Sequence, residues 1–282
     1  MGVFDNVNTK IETKKPSVES ANTVVKTETS SEKPYMVSVF GYKGAGKTYN
    51  ALGLCRKEQK ILLVSFDGVS GIVASQFFPE FDITVYNAIK NPTVVPITDA
   101  GKTYFIESVD NGFNNLQELI NFLVSLENKS YDVVIFDGLN FAERLSEAYM
   151  RKVKGLRFDE NFSDFNNWKI RNSQLNGLFV LAKQKTKDIV IHTVYVEEHP
   201  TKKEGGSVIS SVEMPNYVKD ITALTVVEIR IDRVDEQTRM PTGEFRKDRR
   251  WKASIFSSKI KSIPTGAVYD VTGKLLSDVI KL

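Results

Sequence analysis

Lys47 and Thr48 close the octet Gly41-Tyr42-Lys43-Gly44-Ala45-Gly46-Lys47-Thr48, which fits G-x-x-x-x-G-K-[ST] at every position. Glycines at this spacing let successive backbone N–H groups turn toward one anion, and a helix opening at Gly46 would aim its positive end at the same point. The chemistry this suits is the holding of a triphosphate with Mg²⁺. Lys47 would reach the β- and γ-phosphate oxygens as a mobile cation, and the Thr48 hydroxyl would take one Mg²⁺ position among oxygens and waters. A second group follows in residues 131–140 (YDVVIFDGLN), where the apolar run from Val133 to Phe136 ends in Asp137. A carboxylate at the end of a buried strand is placed to order the water shell of the same Mg²⁺. Many buried strands end in Asp, so this pattern gains its meaning from the complete phosphate loop upstream.

These groups need a scaffold that brings strand ends to one edge. Residues 36–40 form an apolar run entering the glycine-rich octet, and residues 48–57 carry Ala51, Leu52, Leu54 and Cys55 on one helical face. Further buried strands of the parallel type are predicted at 61–66 (ILLVSF, ended by Asp67-Gly68) and 189–196 (IVIHTVYV), with a shorter one at 83–86. Helices are predicted at 113–126, 145–154 and 165–183. Alternation of strand and helix argues a three-layer α/β fold around a mostly parallel sheet. Residues 224–233 and 251–257 alternate as antiparallel strands joined around Pro241-Thr242-Gly243, extending that sheet. Residues 91–110 read as an irregular insertion or a small hairpin.

Residues 1–33 have no apolar period and balance acid against base, as in a disordered arm; residues 34–282 are then expected to form one domain around the phosphate loop. The 282-residue chain is 41% hydrophobic and 26% charged, and it lacks an apolar run long enough for a membrane span or a signal peptide, so a cytoplasmic protein is expected. A single cysteine, Cys55, excludes an internal disulfide and a cysteine-rich zinc site, and His192 sits inside a strand as a core residue. Net charge is only +3, but the stretch from Arg239 to Ser262 holds eight basic residues against two acidic ones, among them Arg246, Lys247, Arg249 and Arg250. Residues 200–217, rich in Gly, Ser and Lys, read as a long mobile functional loop carrying Lys202, Lys203 and Gly205-Gly206.

With both nucleotide motifs placed, the order of elements over residues 35–266 resembles that of the RecA-like P-loop ATPases, most closely the compact single-domain forms of phages and other viruses associated with single-strand DNA recombination. The resemblance implies a Mg²⁺-dependent ATP hydrolase acting on DNA, single-stranded, as a homo-oligomer, with a single-strand-binding or recombination protein as a further partner. LLVSFDG resembles the strand that delivers the family's catalytic carboxylate, which implies that role for Asp67 where the family normally has Glu; Glu197 and Glu198 are the alternatives. IVIHTVYVEE resembles the sensor strand and puts Thr193 where a γ-phosphate sensor belongs. The Gly-rich loop after Pro200 is similar in location to the DNA-contacting loop. SSKIKSIPTG resembles the segment that presents two lysines, here Lys259 and Lys261, to a neighbour's nucleotide, and residues two apart in an extended segment project to one side.

Other P-loop groups match less well. Partitioning-type ATPases place a lysine directly after the first glycine, where Tyr42 stands, and the only approach to a GTPase base reader, Asn128-Lys129-Ser130-Tyr131-Asp132, is one residue too long. Rival readings are a viral DNA-packaging or translocating motor, a small-molecule kinase, and a nucleotide-ordered assembly protein without significant turnover.

Overall fold

The computed structural model describes residues 34–161, 165–204, 207–216, 219–239 and 245–282. The arm at 1–33, Asp164, Gly205-Gly206 and the Pro241-Thr242-Gly243 connection lie outside the described residues. In chain order the elements are β1 (Tyr35–Gly41), α1 (Lys47–Gly53), β2 (Lys60–Ser65), α2 (Ser70–Phe77), β3 (Asp82–Asn87), β4 (Val94–Asp99), β5 (Lys102–Glu107), α3 (Val109–Ser125), β6 (Tyr131–Asp137) and α4 (Leu139–Lys154). Then follow α5 (Phe165–Lys185), β7 (Thr186–Glu204), β8 (Ser207–Pro215), α6 (Lys219–Leu224), β9 (Thr225–Arg239), β10 (Phe245–Ser258), β11 (Val268–Asp270) and α7 (Leu276–Val279).

Among the described residues one nine-stranded sheet runs in the order β11-β10-β9-β1-β7-β6-β2-β3, with β8 paired to β7. The β9-β1-β7-β6-β2-β3 portion is parallel throughout, and β10 and β11 continue it antiparallel. Strand β7 therefore lies between the strand that enters the phosphate loop and the strand that ends in Asp137. Each central strand is apolar on both faces because both are covered. Val37, Val39, Ile61, Leu63, Val133 and Ile135 face one core with Leu52, Ala74 and Leu276 of α1, α2 and α7. Their neighbours Met36, Phe40, Leu62, Val64, Val134 and Phe136 face the other, with Leu116, Leu145 and Phe179 of α3, α4 and α5. Period-two alternation into two cores is what makes three layers.

The fold agrees with the sequence expectation, with local differences. Helix α1 stops at Gly53, because Gly is a poor helix former and the chain turns there, Cys55 N–H donating to Leu52 at 3.0 Å. Helix α2 carries no clear apolar period and escaped notice. Residues 91–110 contain a hairpin, β4–β5, whose turn has Ala100 and Gly101 at φ 47° and 76°. The stretch read as a loop after Pro200 instead continues β7 to Glu204 and returns as β8, a two-stranded ribbon. Its Val208, Ile209 and Val212 are β-branched, and that strand preference outweighed the Gly, Ser and Lys content. The SSKIKS segment is not extended: β10 ends at Ser258, whose Oγ takes the Ile260 N–H at 3.1 Å, so Lys259 and Lys261 stand in a bend and a turn.

Candidate functional site

Strand ends and helix starts converge because the β2–β6–β7–β1 portion is parallel and its carboxyl edge is common to all four strands. Register carries the detail: Ser65 of β2 lies beside Asp137 of β6, and Asp137 lies beside Thr193 of β7. Between these ends and the start of α1 opens a cavity of about 630 Å³, lined by Lys43, Lys47, Thr48, Asp67, Asp137 and Thr193, with Tyr195, Asn140 and Trp251.

The phosphate loop leaves β1 at Gly41 under close packing. A Cβ there would stand 2.4 Å from the Ile231 carbonyl oxygen of β9, a backbone atom that cannot move aside cheaply. Gly46 has φ 84°, a left-handed conformation that L side chains rarely adopt, and it immediately precedes α1. Lys47, the first helical residue, folds back over the loop and donates from Nζ to the Gly41 and Tyr42 carbonyls at 3.1 and 2.9 Å. Its Nζ also stands 4.2 Å above the Tyr195 ring centroid. Burial lowers the Lys47 pKa to about 8 from an ordinary 10.5, and the charges of Asp137 and Asp67 pull the other way without cancelling it. Tyr195 is displaced upward, first by burial and then by the same two carboxylates.

Asp137 is buried and surrounded by hydroxyls. Thr48 Oγ1 donates to its Oδ2 at 2.8 Å, Ser70 Oγ lies 2.6 Å from the same oxygen, and Thr193 donates to Oδ1. Thr193 Oγ1 in turn accepts the Gly138 N–H at 2.9 Å, which fixes its rotamer at the entry of α4. Asp67, one residue past Phe66 after β2, accepts from Val69 N–H at 2.9 Å and lies 3.0 Å from Ser70 Oγ. Ser70 is therefore shared between two carboxylates, although a hydroxyl has one proton to give. An oxygen-rich donor set of one carboxylate with Thr48 beside the phosphate loop fits a hard cation such as Mg²⁺, which takes few protein ligands and keeps waters and phosphates for the rest.

The structure divides the sequence candidates. Gly44, Ala45 and the rest of the octet, with Asp67, Asp137 and Thr193, come together. Glu197 and Glu198 do not line the cavity: both are exposed, Glu197 beside His199 at 3.9 Å and Glu198 near Ser211 at 3.5 Å. Lys259 is exposed and donates to the Ala223 carbonyl at the end of α6 at 2.8 Å, and Lys261 is exposed; neither lines this chain's cavity. Arg249 and Arg250 lie on β10 opposite acidic β9, with Arg249 Nε 3.9 Å from Asp235 and Arg250 Nε 3.2 Å from Glu236. The basic excess seen in sequence is thus partly offset by a neighbouring strand that the counted window left out. Lys202 and Lys203 fall on β7 and Arg246 and Lys247 on β10; their side chains lie outside the described part of the structure.

Sequence reasoning passed over Ser70, Asn140, Glu213 and Trp251. Ser70 had a usable signal, since a serine opening a helix three residues after Asp67 is well placed to return to that carboxylate. Asn140 accepts the Tyr195 N–H at 3.0 Å and donates to the Asn216 carbonyl at 3.1 Å, tying the start of α4 to both strands of the ribbon's base. Glu213 of β8 takes a hydrogen bond from the Tyr42 hydroxyl and an ion pair from Arg230 of β9. Nothing local in sequence marks it.

Strand order and phosphate loop together define a three-layer RecA-like α/β domain of the P-loop class. Among solved structures the chain is similar to the RadB recombinase, at 14% identity and a TM-score of 0.45 over 86% of this chain and 89% of that one. It is also similar to an ATPase from the type III secretion system of pathogenic bacteria, at 12% identity and a TM-score of 0.36 over 71% of this chain, and there it spans about half, 52%, of the other's length. No family model and no curated protein matches the chain. Among the described residues no helix is long and apolar enough to cross a membrane.

Proposed function

We propose that the chain is a Mg²⁺-dependent ATP hydrolase that acts on single-stranded DNA in recombination or replication of the phage or viral type, working as a homo-oligomer in the cytoplasm. The observation that carries the reading is the meeting of Lys47, Thr48, Asp137 and Asp67 in one cavity at the carboxyl edge of the sheet. Thr48 and Asp137 would hold Mg²⁺, whose contribution is to neutralise charge on the phosphate oxygens. Lys47 would leave the loop carbonyls for the β- and γ-phosphates. Asp67 is better placed than Glu197 or Glu198 to orient the attacking water, because it alone of the three lines the cavity. Water attacks the γ-phosphorus, the bond to the β-phosphate oxygen breaks, ADP leaves, and the water proton passes through Asp67 to phosphate or solvent. Thr193, bonded to Asp137 and to Gly138 N–H, is positioned to respond to the γ-phosphate.

DNA is assigned to the β7–β8 ribbon. Lys202 and Lys203 stand on it, and its base is joined to the phosphate loop through Tyr42 and Glu213, so a ligand there could alter turnover. Lys259 and Lys261, exposed and away from this chain's cavity, are assigned to a neighbour's nucleotide. The test is phosphate release from ATP with and without single-stranded DNA, for the wild type and Lys47→Ala. Turnover that rises with single strands and vanishes in Lys47→Ala supports the reading. Stimulation by duplex alone would turn it toward a translocating motor, and ATP bound without turnover toward an assembly protein.

A further inference from the structure

The cavity does not stop at the phosphate loop. Beyond Gly46 its wall is built by the antiparallel extension of the sheet, chiefly Trp251 of β10 with Val271 and Gly273 from the turn after β11, while Tyr49, Val73 and Phe77 supply apolar wall from α1 and α2. The backbone that carries the indole is held in place from behind. The Trp251 main-chain N–H donates to Thr272 Oγ1 at 3.0 Å and the Trp251 carbonyl accepts from Val271 N–H at 2.9 Å. Its Nε1 and Cδ1 stand 3.4 and 3.7 Å from the point where a side chain on Gly46 would begin, so the pyrrole edge borders the first turn of the phosphate-loop helix.

We propose that Trp251 is the nucleoside contact of this site, stacking against the base of a bound nucleoside triphosphate and presenting its indole N–H to the ribose. This rests on the nucleotide-binding reading given above. In a loop of this type the backbone N–H groups cradle the α- and β-phosphates while Lys47 reaches the β- and γ-phosphates, so the nucleoside continues away from the γ end. Trp251 lines the same cavity beside Gly46, where a nucleoside could lie against it. An aromatic face with a single polar N–H suits a planar heterocycle on a sugar phosphate, and the wall behind it excludes water from the stack. The antiparallel strands thereby gain a task in the site: β10 and the 271–273 turn reach over the loop from the far edge of the sheet to close the nucleoside end.

The chain has two tryptophans, so a Trp168→Phe protein leaves Trp251 as the sole indole. In that background ATP with Mg²⁺ should shift or quench Trp251 emission, whereas inorganic triphosphate, which has the phosphates without the base, should leave it nearly unchanged. Trp251→Ala should weaken ATP binding about tenfold, as expected for loss of one stacked aromatic, and leave triphosphate binding within about twofold. Trp251→Phe should recover most of the ATP affinity. Equal emission changes with ATP and triphosphate, or Trp251→Ala binding ATP like the wild type, overturns the assignment while leaving the phosphate loop reading intact. Failure of the wild type to bind either ligand overturns the nucleotide-binding reading itself. If Trp251→Ala does not fold, the emission comparison alone decides.

Discussion

ATP affinity should fall about tenfold when the pH is raised from 7 to 9, and Lys47 should be the cause. Its pKa in the free protein is about 8, lowered from 10.5 chiefly by burial. Triphosphate charge placed against the ammonium must raise that pKa in the complex. Between about 8 and the raised value, the complex then holds a proton that the free protein lacks. The apparent dissociation constant grows as 1 + 10^(pH − 8), which is ~1.1 at pH 7, ~2 at pH 8 and ~11 at pH 9. Binding at pH 9 should take up about 0.9 proton, measurable by titration calorimetry in two buffers of different ionisation enthalpy. The terminal phosphate of ATP is already ionised over this range, so it adds no slope. Lys47→Arg should keep a charge and lose the dependence, because guanidinium does not titrate here. The same depression acts in the opposite sense on folding: between pH 8 and 10.5 the unfolded chain carries the proton and the native chain does not, so the stability of the nucleotide-free protein should rise with pH. A flat affinity from pH 7 to 9, proton release on binding, or an equal slope in Lys47→Arg would refute the argument.

Asp137→Ala should lower turnover by 10²-fold or more while nucleotide still binds, as read by single-turnover phosphate release beside equilibrium binding, because the carboxylate holds three hydroxyls and, on the proposed reading, would position Mg²⁺ beside the transferring group. Neutralising Lys202 and Lys203 to Gln should weaken single-stranded DNA binding and flatten its dependence on salt, since about 0.7 counterion is released per phosphate contact on single strands; unchanged affinity and slope would move DNA elsewhere. If Lys259 and Lys261 serve a neighbour, specific activity should rise with protein concentration, their double Ala variant should lose turnover with ATP affinity kept, and mixing it with Lys47→Ala should restore some activity. Gly112→Ala should destabilise the fold by about 1–3 kcal/mol in denaturant titration, because its Cβ would stand 2.6 Å from the Ala148 Cβ where α3 and α4 pack. Gly177→Ala in α5 meets nothing within 4 Å and should stabilise by about 1 kcal/mol.

What could be read in the sequence was what a short window contains. The phosphate loop is eight consecutive residues whose backbone at Gly46, φ 84°, strongly favours glycine, and the strands announce themselves because both faces of each are buried. Asp137 was legible by position, as the first polar residue after Val133–Phe136. The rest of the site depends on register between distant strands. Ser70 meets Asp137 only because β2 and β6 are neighbours, and Arg249 meets Asp235 only because β9 and β10 pair antiparallel. Composition also misled: Gly, Ser and Lys made the stretch after Pro200 look like a loop, although a ribbon needs only alternating side chains and a partner strand. An extended backbone would project Lys259 and Lys261 to one side, and Ser258 ends that geometry by accepting the Ile260 N–H.

The ribbon and the phosphate loop are nevertheless one mechanical unit, for a reason no window of sequence holds. Tyr42 is the first residue after Gly41, so its backbone belongs to the loop, and its carbonyl is one of the two that hold Lys47. Its side chain leaves the loop and reaches Glu213, whose acidity is increased first by that hydrogen bond and then by Arg230. Arg230 also pairs with Asp232 at 3.0 Å and sits beside Phe40 in the sheet register, which anchors the chain of contacts in β9. On the other side Tyr195, where β7 passes into the ribbon, lies under the Lys47 ammonium. If Lys47 leaves the Gly41 and Tyr42 carbonyls for a triphosphate, it would give up its bonds to a residue tied to β8 and its place over a residue of β7. One strand of the ribbon therefore borders Lys47 directly through Tyr195 and the other reaches it at one remove through Glu213 and Tyr42, so a ligand that shifts the ribbon would change the surroundings of Lys47.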